Sequence, residues 1–215
     1  MGILDKLFKK EISEEKLNEF FQKKEKIMDG ILGEQFHLVS HAIVPFSAGG
    51  AVDMYIYPHA IEGTAFATME LVDYVNKGPI PNRNGMYELL AFTKIKVNDQ
   101  RINDVNDPFC KLERHLCGIF TSIGNYSFHA KLEPGETCEI PGKEGEENIC
   151  LIFDDFKKDN IDFIIDGKKY GFLVCIELFR SEMEYAMKNG SAELFKLLKE
   201  KGFYPYSDLD RGPVV

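Results

Sequence analysis

Ten consecutive residues, Tyr170 to Phe179, carry one charged side chain, Glu177, and otherwise read Tyr-Gly-Phe-Leu-Val-Cys-Ile before it and Leu-Phe after it. A strand with one wet face alternates apolar and polar residues, whereas a near-continuous apolar run is buried on both faces. The run is about half the roughly 20 residues that a membrane-spanning helix needs, and charges interrupt every longer window, so nothing here is expected to span a bilayer. Asp166-Gly167 separates it from Ile161–Ile165, and that dipeptide between two such runs is a strong hairpin signal. The expected centre of the fold is a strand over Tyr170–Phe179, hairpin-paired with Ile161–Ile165 and covered by a helix.

The covering helix is legible. Asp107 offers an N-cap, Pro108 suits the first helical position, and Phe109, Leu112, Leu116, Ile119, Phe120 and Ile123 recur at three- and four-residue spacing until Gly124. A second amphipathic helix is expected from Ser13 to a glycine cap at Gly33. Phe36–Val44 and Val52–Tyr57 read as strands joined through Ser47-Ala48-Gly49-Gly50, and Gly63–Val75 with Met86–Val97 as a long hairpin across the proline- and glycine-rich segment 78–85. A loop holding Pro134, Gly135, Pro141 and Gly142 precedes a buried strand at Ile149–Phe153. Ser181-x-x-Glu184 reads as a capping box opening a helix to Asn189-Gly190, and a last helix runs from Ser191 to Gly202. Strands joined to strands, with helices at intervals, define an α+β class: a largely antiparallel or mixed β-sheet packed with helices. Residues 1–35 are read as an N-terminal helical lead-in and 36–215 as the domain.

Charge narrows the partners. The chain has a net charge of −9, which disfavours a protein that coats nucleic acid, because phosphate binding needs a basic face. Eleven carboxylates against three lysines leave −8 between Glu133 and Asp166 alone. Such a one-sign region either keeps a solvated face soluble or raises the encounter rate with a basic partner. Glu144, Glu146, Glu147, Asp154 and Asp155 are the candidate partner-binding residues, being close in sequence beside an apolar strand. The N-terminus lacks an apolar signal region, so a cytoplasmic protein is expected.

No catalytic or metal motif emerges. His37 and His41 would share a strand face but lack a third ligand, His59, His115 and His129 are scattered, and His-Glu-x-x-His is absent. The five cysteines include no Cys-x-x-Cys pair, there is no Gly-x-Ser-x-Gly, and Gly49-Gly50 lacks the Lys-Ser or Lys-Thr of a phosphate loop. Asp154 and Asp155 would point to opposite faces of a strand. The expectation is therefore no enzyme, no metal and no cofactor.

The C-terminal third carries a resemblance. Tyr170 to Phe179, then Ser181-Glu182-Met183-Glu184-Tyr185-Ala186, Asn189-Gly190-Ser191, the Leu194-Phe195-Lys196-Leu197-Leu198 helix and Asp208-Leu209-Asp210-Arg211-Gly212, resemble the Suppressor of fused domain. Upstream, Phe66–Leu71 with Gly85-Met86-Tyr87-Glu88-Leu89 is similar to that family's paired strands, and the likeness runs from about His41 to Gly212. The resemblance implies a non-enzymatic binding domain. Eukaryotic relatives hold a transcription factor inactive, and bacterial relatives look like immunity proteins that mask a toxin. It implies a protein partner bound stoichiometrically, and the acidic stretch makes a basic toxin a candidate; a regulatory role toward a host factor, or an enzyme with an unrecognised pocket, is the alternative.

Overall fold

In the computed structural model the chain is described over residues 3–75, 77–102, 104–142, 145, 147–158 and 161–215, with side chains from residue 14 onward. The elements are α1 (Ile3–Leu32), β1 (Val39–Ser40), β2 (Met54–Tyr57), β3 (Thr64–Ala67), β4 (Met86–Thr93), α2 (Pro108–Ser127), β5 (Thr137–Ile140), β6 (Ile149–Asp155), β7 (Ile164–Ile165), β8 (Lys168–Leu178), α3 (Arg180–Asn189) and α4 (Ser191–Glu200). The sheet runs β1-β2-β3-β4-β8-β6-β5, with β7 paired to the start of β8. Among the described residues no helix is long and apolar enough to cross a membrane.

β8 is central, as its apolar run requires, with Val174 1% and Ile176 0% exposed. β4 pairs with it in parallel, from Met86↔Tyr170 to Leu90↔Val174, and β6 antiparallel, from Cys150↔Leu178 to Asp155↔Leu173. One parallel pairing therefore makes the sheet mixed. The Asp166-Gly167 hairpin forms, with both residues at positive φ as a tight primed turn demands. Its ladder covers only Ile164 and Ile165, and Ile161 lies exposed outside it. The long partners of β8 come from distant parts of the chain, which a local turn signal does not announce.

Successive β8 residues feed two cores. Leu173 and Cys175 face α2, which contributes Phe109, Leu116, Ile119, Phe120 and Ile123. Phe172, Val174 and Ile176 face the helices on the other side, which supply Phe20, Met28, Leu32, Met183, Leu194 and Leu198. The result is a helix–sheet–helix sandwich. The Asp107 side chain accepts the Phe109 N–H at 2.9 Å. α2 continues three residues past Gly124, which does not cap it; a Cβ there would press on Leu71 and Phe46 at 3.2 Å.

Other boundaries move for identifiable reasons. The strand expected over Phe36–Val44 shrinks to β1, because Ala42 gives its N–H to the Asp53 carboxylate at 2.8 Å instead of to a strand. The loop expected at 134–142 contains β5. The capping box lies two residues earlier than Ser181-x-x-Glu184: Glu182 accepts the Phe179 N–H at 3.0 Å. Glu182 is fully buried and also takes two bonds from Arg211, at 2.5 and 2.9 Å. β4 and β8 part beyond Leu90 and Val174, and the C-terminal tail enters the gap. Ser207 donates its N–H to the Phe92 carbonyl at 2.8 Å and its hydroxyl to Cys175 O at 2.9 Å, and accepts the Glu177 N–H at 3.2 Å.

β3 stops at Ala67 because the next residues wrap a carboxylate. Glu88 Oε2 accepts from the Thr68 hydroxyl (2.7 Å) and Leu71 N–H (3.2 Å); Oε1 accepts from Val72 N–H (3.1 Å) and the Lys24 ammonium (2.7 Å). Lys24 gives its other bonds to the carbonyls of Met69 (2.9 Å) and Val72 (2.6 Å), and both charged side chains are 1% exposed. Breaking a buried pair strands the surviving charge, so Lys24→Met is expected to cost about 3 to 5 kcal/mol in urea unfolding. A loss below about 1 kcal/mol would show that the ammonium does not anchor α1.

Candidate functional site

β5 lies at an edge of the sheet, and among the described residues no strand pairs with its outer side. The chain enters it through a bulge: Gly135, at φ +93°, donates to Phe153 O at 2.6 Å, and Phe153 N–H donates to Glu136 O at 2.9 Å. Two residues oppose one, the first a left-handed glycine, which fixes the hydrogen-bonding phase of β5. With the register Cys138↔Leu151 and Ile140↔Ile149, these residues bond β6, while the N–H and C=O of Thr137 and Glu139 point away from the sheet. Outward backbone groups on an edge strand are a template for another strand.

Side chains from both helical layers frame this edge. A groove of about 880 Å³ is walled by Ser122, Ile123 and Tyr126 of α2 on one side and Ala186 and Met187 of α3 on the other, with β5 along its floor. Tyr126 and Met187 are 50% and 71% exposed, large apolar groups with water on one side. Adjoining it past Gly135 and Ser191 is a polar cavity of about 670 Å³, bordered by Arg83, Asp154, Asp155, Lys196, Lys199 and Tyr204.

The candidate partner-binding residues divide among these places. Glu144 and Glu146 lie outside the described residues. Glu147 is exposed just before β6. Asp154 and Asp155 end β6 and both border the polar cavity. Asp154 accepts the Tyr204 hydroxyl at 2.8 Å, and Asp155 lies 3.6 Å from the Arg83 guanidinium. Burial first, then Asp154, pushes the Tyr204 phenol well up. Nearer the edge, Glu139 is tied to Arg180 and to Asn148 (2.6 Å), and Glu133 is held below the usual carboxylate range first by Lys131, at 2.5 Å.

The remaining titratable groups do not converge. His37 pairs with Asp99 at 3.4 Å, His41 with Asp53 at 2.7 Å and His115 with Glu177 at 2.8 Å, each in a different part of the fold. Among the described residues no three His, Cys, Asp or Glu side chains gather as a metal would require. All five cysteines are free thiols, and burial pushes every one of them up, the reverse of what an activated nucleophile needs.

No family model matches the chain, and no curated protein matches it. Solved structures do. The crystal structure of the Sufu–Fu complex superposes over 92% of this chain and 91% of that one, with a TM-score of 0.56 at 15% identity. A SUFU homolog from Neisseria gonorrhoeae superposes over 92% of this chain and 97% of that one, also at 0.56, with 10% identity. The fold is that of Suppressor of fused. At such identities the likeness is one of backbone architecture, and it agrees with the α+β, mixed-sheet arrangement of this chain. In this Suppressor of fused-like frame the family-like C-terminal residues are fasteners: Arg211 grips Glu182, and Asp208 accepts from Lys94 N–H at 2.8 Å and from the Thr93 hydroxyl. The groove itself was not visible in the sequence, because β5 is four residues of mixed character between glycines; the Gly135 bulge was its one local signal.

His115 supplies a pH test of the α2–β8 contact. Its hydrogen bond to Glu177 raises the imidazole above its ordinary value of 6.5. The folded state thus holds the proton more tightly, and the stabilisation is complete below pH 6.5 and lost as pH rises through the folded value. In urea unfolding the difference between the native chain and His115→Ala is expected to be larger at pH 5.5 than at pH 8.5. A pH-independent difference would remove the ion pair from the account.

Proposed function

We propose that this chain is a non-catalytic protein-binding domain that captures an extended segment of its partner along the outer edge of β5. The observation that carries this reading is the conjunction at that edge of outward backbone groups with the exposed apolar rings and chains of Tyr126 and Met187. Main-chain bonds supply affinity in strand addition, and flanking pockets supply specificity. One of the structural neighbours named above is itself a complex, of Sufu with Fu.

Charge favours a basic partner. Glu136 and Glu139 border the groove and Glu147 lies a few residues away in sequence, whereas Asp154 and Asp155 in the adjoining cavity are matched by Arg83, Lys196 and Lys199. A toxin acting on nucleic acid needs a basic face for phosphate, and an acidic inhibitor covers that face by offering carboxylates in its place. The finer reading is an immunity-type protein of the cytoplasm that sequesters such a toxin stoichiometrically. The same surface would serve a regulator of a host factor, and a toxin gene beside this one separates the two. An enzyme reading would need perturbed groups converging in the groove; its one thiol, Cys138, is pushed up by burial.

The test uses the product of a toxin gene found beside this one. Thr137→Pro removes an N–H that faces away from β6, and edge strands tolerate proline. It is expected to weaken binding by about tenfold or more, roughly 1.4 kcal/mol, with the unfolding temperature nearly unchanged. Wild-type affinity in Thr137→Pro would place the contact elsewhere. Replacing Glu144, Glu146, Glu147, Asp154 and Asp155 together by Ser or Asn is expected to slow association and flatten its salt dependence. An unchanged on-rate and salt dependence would return these residues to a solvating role.

A further inference from the structure

Side chains that stand opposite one another on neighbouring strands share a face of the sheet, so the register of β5 on β6 sorts the β5 residues between the two walls of the groove. Glu136, Cys138 and Ile140 stand opposite Phe153, Leu151 and Ile149, which belong to the α2-side core or pack against it. Thr137 and Glu139 stand opposite Ile152 and Cys150, which belong to the core on the α3 and α4 side. A strand added to the outer edge of β5 inherits that division. Every second residue looks toward α2, where Ile123 and the half-exposed ring of Tyr126 form the wall, and the residues between look toward α3.

The two faces offer different chemistry. On the α3 face the polar groups are already matched: Glu139 is paired with Arg180 and accepts from Asn148 at 2.6 Å, and Ser191 gives its hydroxyl to the Gly135 carbonyl. On the α2 face Cys138 and Ile140 form a half-buried apolar floor, and exposed Glu136 stands at its glycine end. Lys131, which also borders the groove, is tied to Glu133 at 2.5 Å. Glu136 takes the Glu133 N–H at 2.9 Å, and among the described residues no cation pairs with it. Its charge is therefore left unmatched at the end of an apolar lane. Complementary charge at such a place fixes register and partner choice more than it adds raw affinity.

Resting on strand addition at β5, we infer that the groove selects an extended segment of the pattern basic-x-apolar-x-apolar, read in either chain direction. Its Lys or Arg is set against Glu136, and its two apolar side chains lie on Cys138 and Ile140 against Tyr126. The five residues span about 13 Å of extended chain, the reach from Glu136 to Ile140. The x positions lie over Thr137 and the Glu139–Arg180 pair, a floor that suits small or polar side chains. This is narrower than a preference for positive charge. A slip of one residue turns the apolar pair onto the polar floor and carries the basic residue away from Glu136.

The test uses two fluorescent peptides of identical composition and charge, flanked by serines, titrated with the full chain and read by anisotropy. One has the core Arg-Thr-Leu-Thr-Leu; the other, Arg-Leu-Thr-Leu-Thr, places the arginine on the opposite face from both leucines. The first is expected to bind saturably and the second about fivefold or more weakly. Glu136→Gln keeps an oxygen to accept the Glu133 N–H but loses the charge, and it is expected to bring the two peptides within about twofold of each other. Equal affinity for the native chain, or a difference that survives Glu136→Gln, would overturn the pattern; strand addition stands without it if Thr137→Pro still weakens both peptides. Peptide binding that Thr137→Pro leaves unchanged would overturn strand addition and this inference with it. Absence of saturable binding by the first peptide at millimolar concentration would overturn the inference alone, since Thr137→Pro with the whole toxin tests the edge separately.

Discussion

The Glu88 carboxylate is the point at which the helical layer, a turn and the sheet become one object. Desolvating a carboxylate and an ammonium costs several kcal/mol per ion, recovered only when geometry and extra hydrogen bonds saturate both. Here both are saturated: Glu88 takes four bonds and Lys24 gives three. The arrangement tolerates little displacement, since moving α1 strands the carboxylate and moving the 68–72 turn strands the ammonium. With α1 so fixed, Met28 and Leu32 close the core beneath it, and the end of that helix meets β2 at a defined position.

Legibility in the sequence followed the range of the interaction. β8 could be read because burial on both faces writes itself into consecutive residues, and α2 because its stripe, its Asp107 cap and Pro108 are local. The hairpin of β3 and β4 was legible in kind but not in length, because β3 ends at a carboxylate 21 residues beyond it, on β4. Lys24 and Glu88 stand 64 residues apart, and nothing near either marks it as buried; each reads as one more surface charge. The acidic stretch was legible as composition, yet its residues separate in space, with Glu139 tied to Arg180, Asp154 to Tyr204 and Asp155 beside Arg83.

The residues that carried the family resemblance turn out to hold the frame together more than they line a binding surface. Glu182 and Arg211 form a buried pair with the Arg211 guanidinium between the rings of Phe179 and Phe203, at 5.1 and 4.9 Å. Asp208 ties down the end of β4. A backbone architecture can therefore persist at 10 to 15% identity while the groove beside β5, built from side chains such as Tyr126 and Met187, is free to differ.

The tail wedged between β4 and β8 bears on how the protein comes into being on the ribosome. β4 is complete at Thr93, but its parallel partner begins at Lys168 and the Ser207 plug arrives later still. At about 5 to 20 residues per second, β4 waits on the order of ten seconds for its neighbours. During that interval β4 can pair with β3 and Glu88 can meet Lys24, but the β4 edge that β8 covers stays unpaired. The sandwich therefore closes only once β8 and the Ser207 plug have been made, long after β4 is complete.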